Sequence, residues 1–222
     1  MVEIDTRYSF TAQFLCGSAV FARRCGQIED AHDVKPQLMP NDDILTEHRG
    51  LVTAVIMQTV AAIESESHEL TAHGPGHHLG GDHTDKAALA FLAPLAETIA
   101  RQEILTRYRM ILHLLRKPPM DEGRQPWQDV STLVKARNEL VHYKSQWGDD
   151  MEGKSLFGRL KGLNLPRPKF QPPNMNYFPH QFLSAATARW AVRTAVTFLN
   201  SFYAHLDVEG VLQRHMERLK DM

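Results

Sequence analysis

The sequence predicts an all-α protein: a bundle of four long helices with extra short helices and a Pro-rich surface insertion. Three observations carry that reading. Apolar residues recur at the i, i+3, i+4 spacing of a buried helix face. The period-two alternation of strands is nearly absent. Clusters of Pro and Gly interrupt the chain where helix connections are needed.

Each element follows from local signals. A first helix is expected over about Phe10 to Cys25, with Phe10, Phe14 and Phe21 and small residues between. After a polar loop containing Pro36 and Pro40, Asn41-Asp42-Asp43 offers N-caps for a long helix. Its stripe is Leu45, Val52, Val55, Ile56, Val60 and Ile63, and Gly74-Pro75-Gly76 ends it near His73. A third helical region covers about Asp85 to Lys117, broken or kinked at Pro94, with Leu95, Ile99, Tyr108, Ile111, Leu112 and Leu115 inward. Pro126 suits the start of a helix running from Trp127 to about Tyr143. A short helix over Met151 to Leu160 precedes residues 163–179, whose Pro166, Pro168, Pro172, Pro173 and Pro179 predict a surface excursion. The last long helix spans about Pro179 to Leu206, and a polar helical tail covers Val208 to Lys220.

The chain has 222 residues, 43% hydrophobic and 23% charged, which excludes a disordered or fibrous protein. It shows no repeat and no clear linker, so residues 1–222 are expected to form one domain, with a His/Gly-rich loop over about 73–84. The longest mostly apolar stretch, Leu51 to Ile63, is interrupted by Thr53, Gln58 and Thr59 and is too short to span a bilayer. The polar, acidic N-terminus lacks the plan of a signal peptide. The two cysteines, Cys16 and Cys25, face about 180° apart on a helix and cannot pair there. A soluble, cytoplasmic protein with no membrane partner is the expectation.

The net charge of -1 conceals an asymmetry. Residues 1–152 hold 15 basic and 22 acidic side chains, whereas residues 153–222 hold 10 basic and 4 acidic ones. Gly153 to Leu206 contains no acid, and Lys154, Arg159, Lys161, Arg167, Lys169, Arg189 and Arg193 make it basic. Such a block attracts a polyanion or neutralises the acidic half of the fold, and the composition leaves both open.

Three segments carry candidate chemistry. His68, His73, His77, His78 and His83 lie among Glu64, Glu66, Glu69, Asp82 and Asp85, donors suited to Zn²⁺ or Ni²⁺. His68-Glu69-Leu70-Thr71-Ala72-His73 resembles a zinc-protease motif with one residue too many, and histidines at i and i+5 diverge by about 140° on a helix. The glycines give the rest no fixed ligand geometry, so no metal and no cofactor are expected. Glu64 and His68, at i and i+4, share a face at the edge of the core. The third segment is Arg137-Asn138-Glu139-Leu140-Val141-His142. Trp127, Val130, Val134, Arg137 and Val141 follow at steps of three or four, placing Arg137 on the apolar stripe, where a guanidinium needs an anion. Asn138 and His142, at i and i+4, would let an amide orient an imidazole. A cation and an oriented histidine are components of phosphate chemistry.

This segment resembles the Arg-polar-His motif of HEPN domains. The acidic, small-residue segment Ala61-Ala62-Ile63-Glu64-Ser65 and the Ala188 to Val192 pattern (Ala-x-Trp-Ala-Val) resemble other parts of the family's plan. Arg107, followed by Tyr108, lacks the motif's polar residue. The resemblance covers about residues 8–206 and implies a four-helix up-down bundle that forms a homodimer, with the motifs meeting at a shared cleft. It implies a metal-independent endoribonuclease, of a kind found among toxins and antiphage factors, with RNA and a cognate antitoxin as partners. His142 would be the general acid/base, Arg137 the phosphate ligand, Asn138 the orienting amide and Glu64 an accessory group. RNA cleavage would leave a 2′,3′-cyclic phosphate. Lys154, Arg159, Lys161, Arg167 and Lys169 would guide the RNA backbone. A non-catalytic nucleotide-binding or protein-interaction module is the alternative the family also contains.

Overall fold

The computed structural model describes residues 9–33, 40–79, 85–143, 155–172 and 174–220, and every regular element among them is helical. The chain opens with two long helices, α1 (Phe10–Ala31) and α2 (Asp42–His73). Three shorter ones follow, α3 (Lys86–Leu92), α4 (Ala96–Ala100) and α5 (Ile104–Leu114). The chain continues through α6 (Trp127–Val141), α7 (Ser155–Gly162), α8 (Ala185–Leu206) and α9 (Met216–Leu219). The fold is a helical bundle in which α2 packs against α1, α6 and α8, while α3, α4 and α5 lie along it. None of these helices is long and apolar enough to cross a membrane.

The expected cap of α2 forms: Ile44 N donates to Asn41 Oδ1 at 3.0 Å. Its whole stripe, Leu45, Val52, Val55, Ile56, Val60 and Ile63, is buried. Trp190, Ala191, Ala195, Phe198, Leu199 and Phe202 of α8 are buried against it. Tyr108 enters between α2 and α8, edge-on to Phe198 and Phe202 at 4.9 and 4.7 Å, and its hydroxyl donates to Ile63 O.

Several expectations are corrected. On α1 the small residues Thr11, Ala12, Ser18, Ala19 and Ala22 face the core, and Phe10 is 50% exposed. They let α1 lie close to α2, so close that a Cβ at Gly17 would meet Gln58 Oε1 at 3.3 Å. The third helical region breaks at Pro94 as expected and again at Arg101–Glu103, which leaves Leu95 36% exposed. The final helix starts at Ala185, not Pro179, because Ser184 caps it by accepting from Thr187 N. The Pro-rich segment is no mere surface excursion. It buries Phe170 with Ile28 and Leu45 in a separate small cluster, and Phe178 packs on Phe157 and Phe182. Both cysteines are free, on different faces of α1.

The buried face of α6 is also rotated from the expected one. Trp127, Val130, Leu133 and Ala136 point inward, Val134 is half-buried and Val141 is 51% exposed. Arg137 therefore lies at the rim of the core. A helix has 3.6 residues per turn, so a stripe can continue through 133 or 134, and the guanidinium decides it by staying near water.

Candidate active site

The last third of α2 runs beside α5 and α6, and the polar residues of all three elements meet there. Arg107 of α5 is buried, 7% exposed, with each guanidinium nitrogen hydrogen-bonded. Its Nη2 donates to Glu64 Oε1 at 3.2 Å, Nη1 to His68 Nε2 at 2.9 Å and Nε to Gln102 O at 2.9 Å. A guanidinium can only donate, so His68 Nε2 accepts. The second Glu64 oxygen faces Arg137 of α6, with Nη2 to Oε2 at 3.9 Å. Glu64 thus sits between two arginines, and its side chain is 38% exposed against 25% for Arg137. The shared face expected of Glu64 and His68 forms, although both turn to Arg107.

Asn138 and His142 are exposed and make no side-chain hydrogen bond among the described residues. The expected amide–imidazole stacking is absent because α6 ends at Val141. His142 caps the helix with φ -105° and ψ 23°, joined to Asn138 only by its backbone N–H. Residues five apart on a helix diverge by about 140°, so Arg137 and His142 do not share one face of α6. Val141 and Tyr143, either side of His142, are 51% and 42% exposed. Tyr143 touches Phe178, which also contacts Phe157 of α7.

That aromatic chain places α7 beside the end of α6, and with it the exposed Arg159 and Lys161. Lys161 Nζ lies 5.9 Å from the Tyr177 ring centroid. Lys169 is used differently: it pairs with Asp30 in the last turn of α1 at 2.9 Å and with Asp33 just past that helix at 3.1 Å. Those contacts hold Asp30 below the usual carboxylate range. Arg167 Nε donates to Gln171 O at 3.0 Å. Lys154 lies outside the described residues, as do Asp82 and His83 of the His-rich segment.

Sequence reasoning missed Arg107. It lacks the polar residue that follows the motif's arginine, yet it meets Glu64, 43 positions away, in space. The signal available was helical phase: Arg107 and Tyr108 fall on the inward face of α5 with Ile104, Ile111 and Leu112. A concavity of about 400 Å³ between α5 and the start of α6 is lined by Arg109, Met110, His113, Met120 and Trp127, without any motif residue.

Comparison with known proteins adds no relative. No family model, no curated protein and no solved structure matches this chain.

Proposed function

We propose that this protein is a metal-independent endoribonuclease of the HEPN type that acts as a homodimer. The observation that carries the reading is the convergence of Arg107 and Arg137 on Glu64 at the rim of the core, one turn before the exposed His142. Arg107 is engaged at each of its three nitrogens and holds Glu64. Glu64 holds Arg137 loosely, at 3.9 Å, leaving the Arg137 guanidinium in reach of a phosphate. A phosphodiester displaces that long contact with a bidentate one, the geometry arginine recognises best.

His142 supplies the proton transfers. The imidazole takes the proton of the ribose 2′-hydroxyl, the 2′-oxygen attacks phosphorus, and the bond to the 5′-oxygen breaks. That oxygen leaves with a proton as a 5′-hydroxyl, and the other fragment keeps a 2′,3′-cyclic phosphate. Arg137 stabilises the charge that develops on the non-bridging oxygens. Because Arg137 and His142 point away from each other on one helix, the working pair forms between two copies. The exposed Val141 and Tyr143 around His142 suit a surface covered by a second chain.

The experiment compares labelled RNA with the same sequence in 2′-deoxy form, incubated in EDTA with protein whose circular dichroism shows that it keeps its fold in the chelator. Cleavage of RNA alone, with 2′,3′-cyclic ends, is expected. Cleavage of the 2′-deoxy strand would overturn the mechanism. RNA that is bound and never cut would make the protein a binding module.

A further inference from the structure

On the opposite side of α2 from Glu64, a second polar group is enclosed where α2, the single turn His77–Leu79 and α8 meet. Glu66 and Glu69 are one turn apart on α2 and share a face. Gly74 and Gly76 reverse the chain with φ values of 79° and 82°, and bring His77 back over that face. One ligand atom from each of Glu66, Glu69 and His77 lies within 4.8 Å of the other two. The expectation that the His-rich segment has no fixed ligand geometry fails at His77, because the turn that follows α2 is itself ordered against it.

The supporting contacts are those of a preorganised ligand set. His77 Nδ1 donates to Gly74 O at 3.1 Å, which fixes the ring and turns Nε2 toward Glu69 Oε2, 3.2 Å away. Glu69 Oε1 accepts from Ser65 Oγ at 3.1 Å and Thr11 Oγ1 at 3.4 Å. Glu66 Oε1 accepts from the Tyr203 hydroxyl of α8. Metal-binding imidazoles and carboxylates are held by such outer contacts.

The decisive atom is Glu66 Oε2. Glu66 has no exposed surface, and among the described residues this oxygen has no hydrogen-bond partner. Among those residues neither protonation state satisfies it, since an ionised oxygen needs a donor and a protonated one needs an acceptor. Two carboxylates and one imidazole leave an excess of negative charge in a closed space.

We propose that Glu66, Glu69 and His77 bind one divalent transition-metal ion, Zn²⁺ above all, which ties the turn after α2 to α2 and α8. Two oxygens and one nitrogen suit Zn²⁺, with water completing the four positions. Ligand atoms about 2.1 Å from such an ion stand about 3.4 Å apart, so closing from the present spacing takes shifts of about 1 Å. The site is structural and does not rest on the ribonuclease reading.

The test is titration of untagged, EDTA-stripped and dialysed protein with ZnCl₂ by calorimetry, with CoCl₂ as an optical probe. One Zn²⁺ per chain is expected, with a rise in melting temperature. Glu66→Gln and His77→Asn should each weaken binding by at least about 100-fold, a loss that changes beyond the direct ligands already reach. His78→Asn, beside the triad, should leave it unchanged. X-ray absorption of the Zn²⁺-loaded wild type keeps the proposal falsifiable if both ligand variants unfold. A single imidazole with oxygen neighbours is expected, and two or more imidazoles would overturn the assignment. No stoichiometric binding, or equal binding by folded Glu66→Gln and His77→Asn proteins, would overturn it too. All of these readouts are independent of RNA cleavage.

Discussion

Arg107 has lost nearly all of its hydration, and its three donor groups are met by Glu64, His68 and the Gln102 carbonyl. Removing a buried guanidinium of this kind takes away several charge-assisted bonds at once and releases Glu64. Arg107→Met should lower stability by about 2–4 kcal/mol, read as the urea midpoint at constant slope. A change below about 0.5 kcal/mol would mean that the cluster is solvated rather than closed. The same residue shows where a sequence stops being legible. Glu64 and Arg137 are each visible through a local pattern, stripe edge and motif. Arg107 acquires meaning only when α5 packs on α2, and no spacing along the chain encodes that contact.

Among the elements, α2 was readable in full because its Asn41 cap, its stripe and its Gly74 stop all agree. Agreement of local signals is what makes an element legible. The signals in α6 conflict, since Leu133 and Val134 are both apolar and only the cost of burying Arg137 selects between the two registers. A further tie was invisible. Glu29 of α1 accepts from the Ala185 backbone N–H at 2.7 Å, at the start of α8, and faces His48 of α2 at 3.0 Å. A side chain 156 positions away in sequence therefore completes a helix N-terminus and links three helices of the bundle. Glu29→Ala would leave His48 and that N–H without their buried partner. Thermal or urea unfolding should show a loss of about 2–4 kcal/mol, since two buried groups each lose a hydrogen-bond partner. A loss no larger than that of an ordinary exposed cap, about 1 kcal/mol, would show that the link is not what holds α8 in place.

For the molecule as a whole, the charge asymmetry divides into two uses. Lys169 neutralises Asp30 and Asp33 within the fold, whereas Arg159 and Lys161 stay exposed on α7, beside the end of α6. Neutralisation within the fold is thus seen at Lys169, and attraction of a polyanion by Arg159 and Lys161 belongs to the proposal. If the proposed RNA path runs along α7 toward His142, binding should lose about one unit of salt-dependence slope for each of Arg159→Gln and Lys161→Gln. The corresponding change at Lys169 should have less effect on RNA binding. Equal effects at all three positions would argue for a diffuse electrostatic surface with no path to the motif.

The most direct measurement is the rate of RNA cleavage in EDTA by wild type, Arg137→Ala and His142→Ala, each checked for retained fold. If Arg137 and His142 form the active site, each variant should cut at least about 100-fold more slowly than wild type, in keeping with the usual contribution of a general acid/base or an oxyanion ligand. Cleavage by both variants at the wild-type rate would contradict an active site at the end of α6.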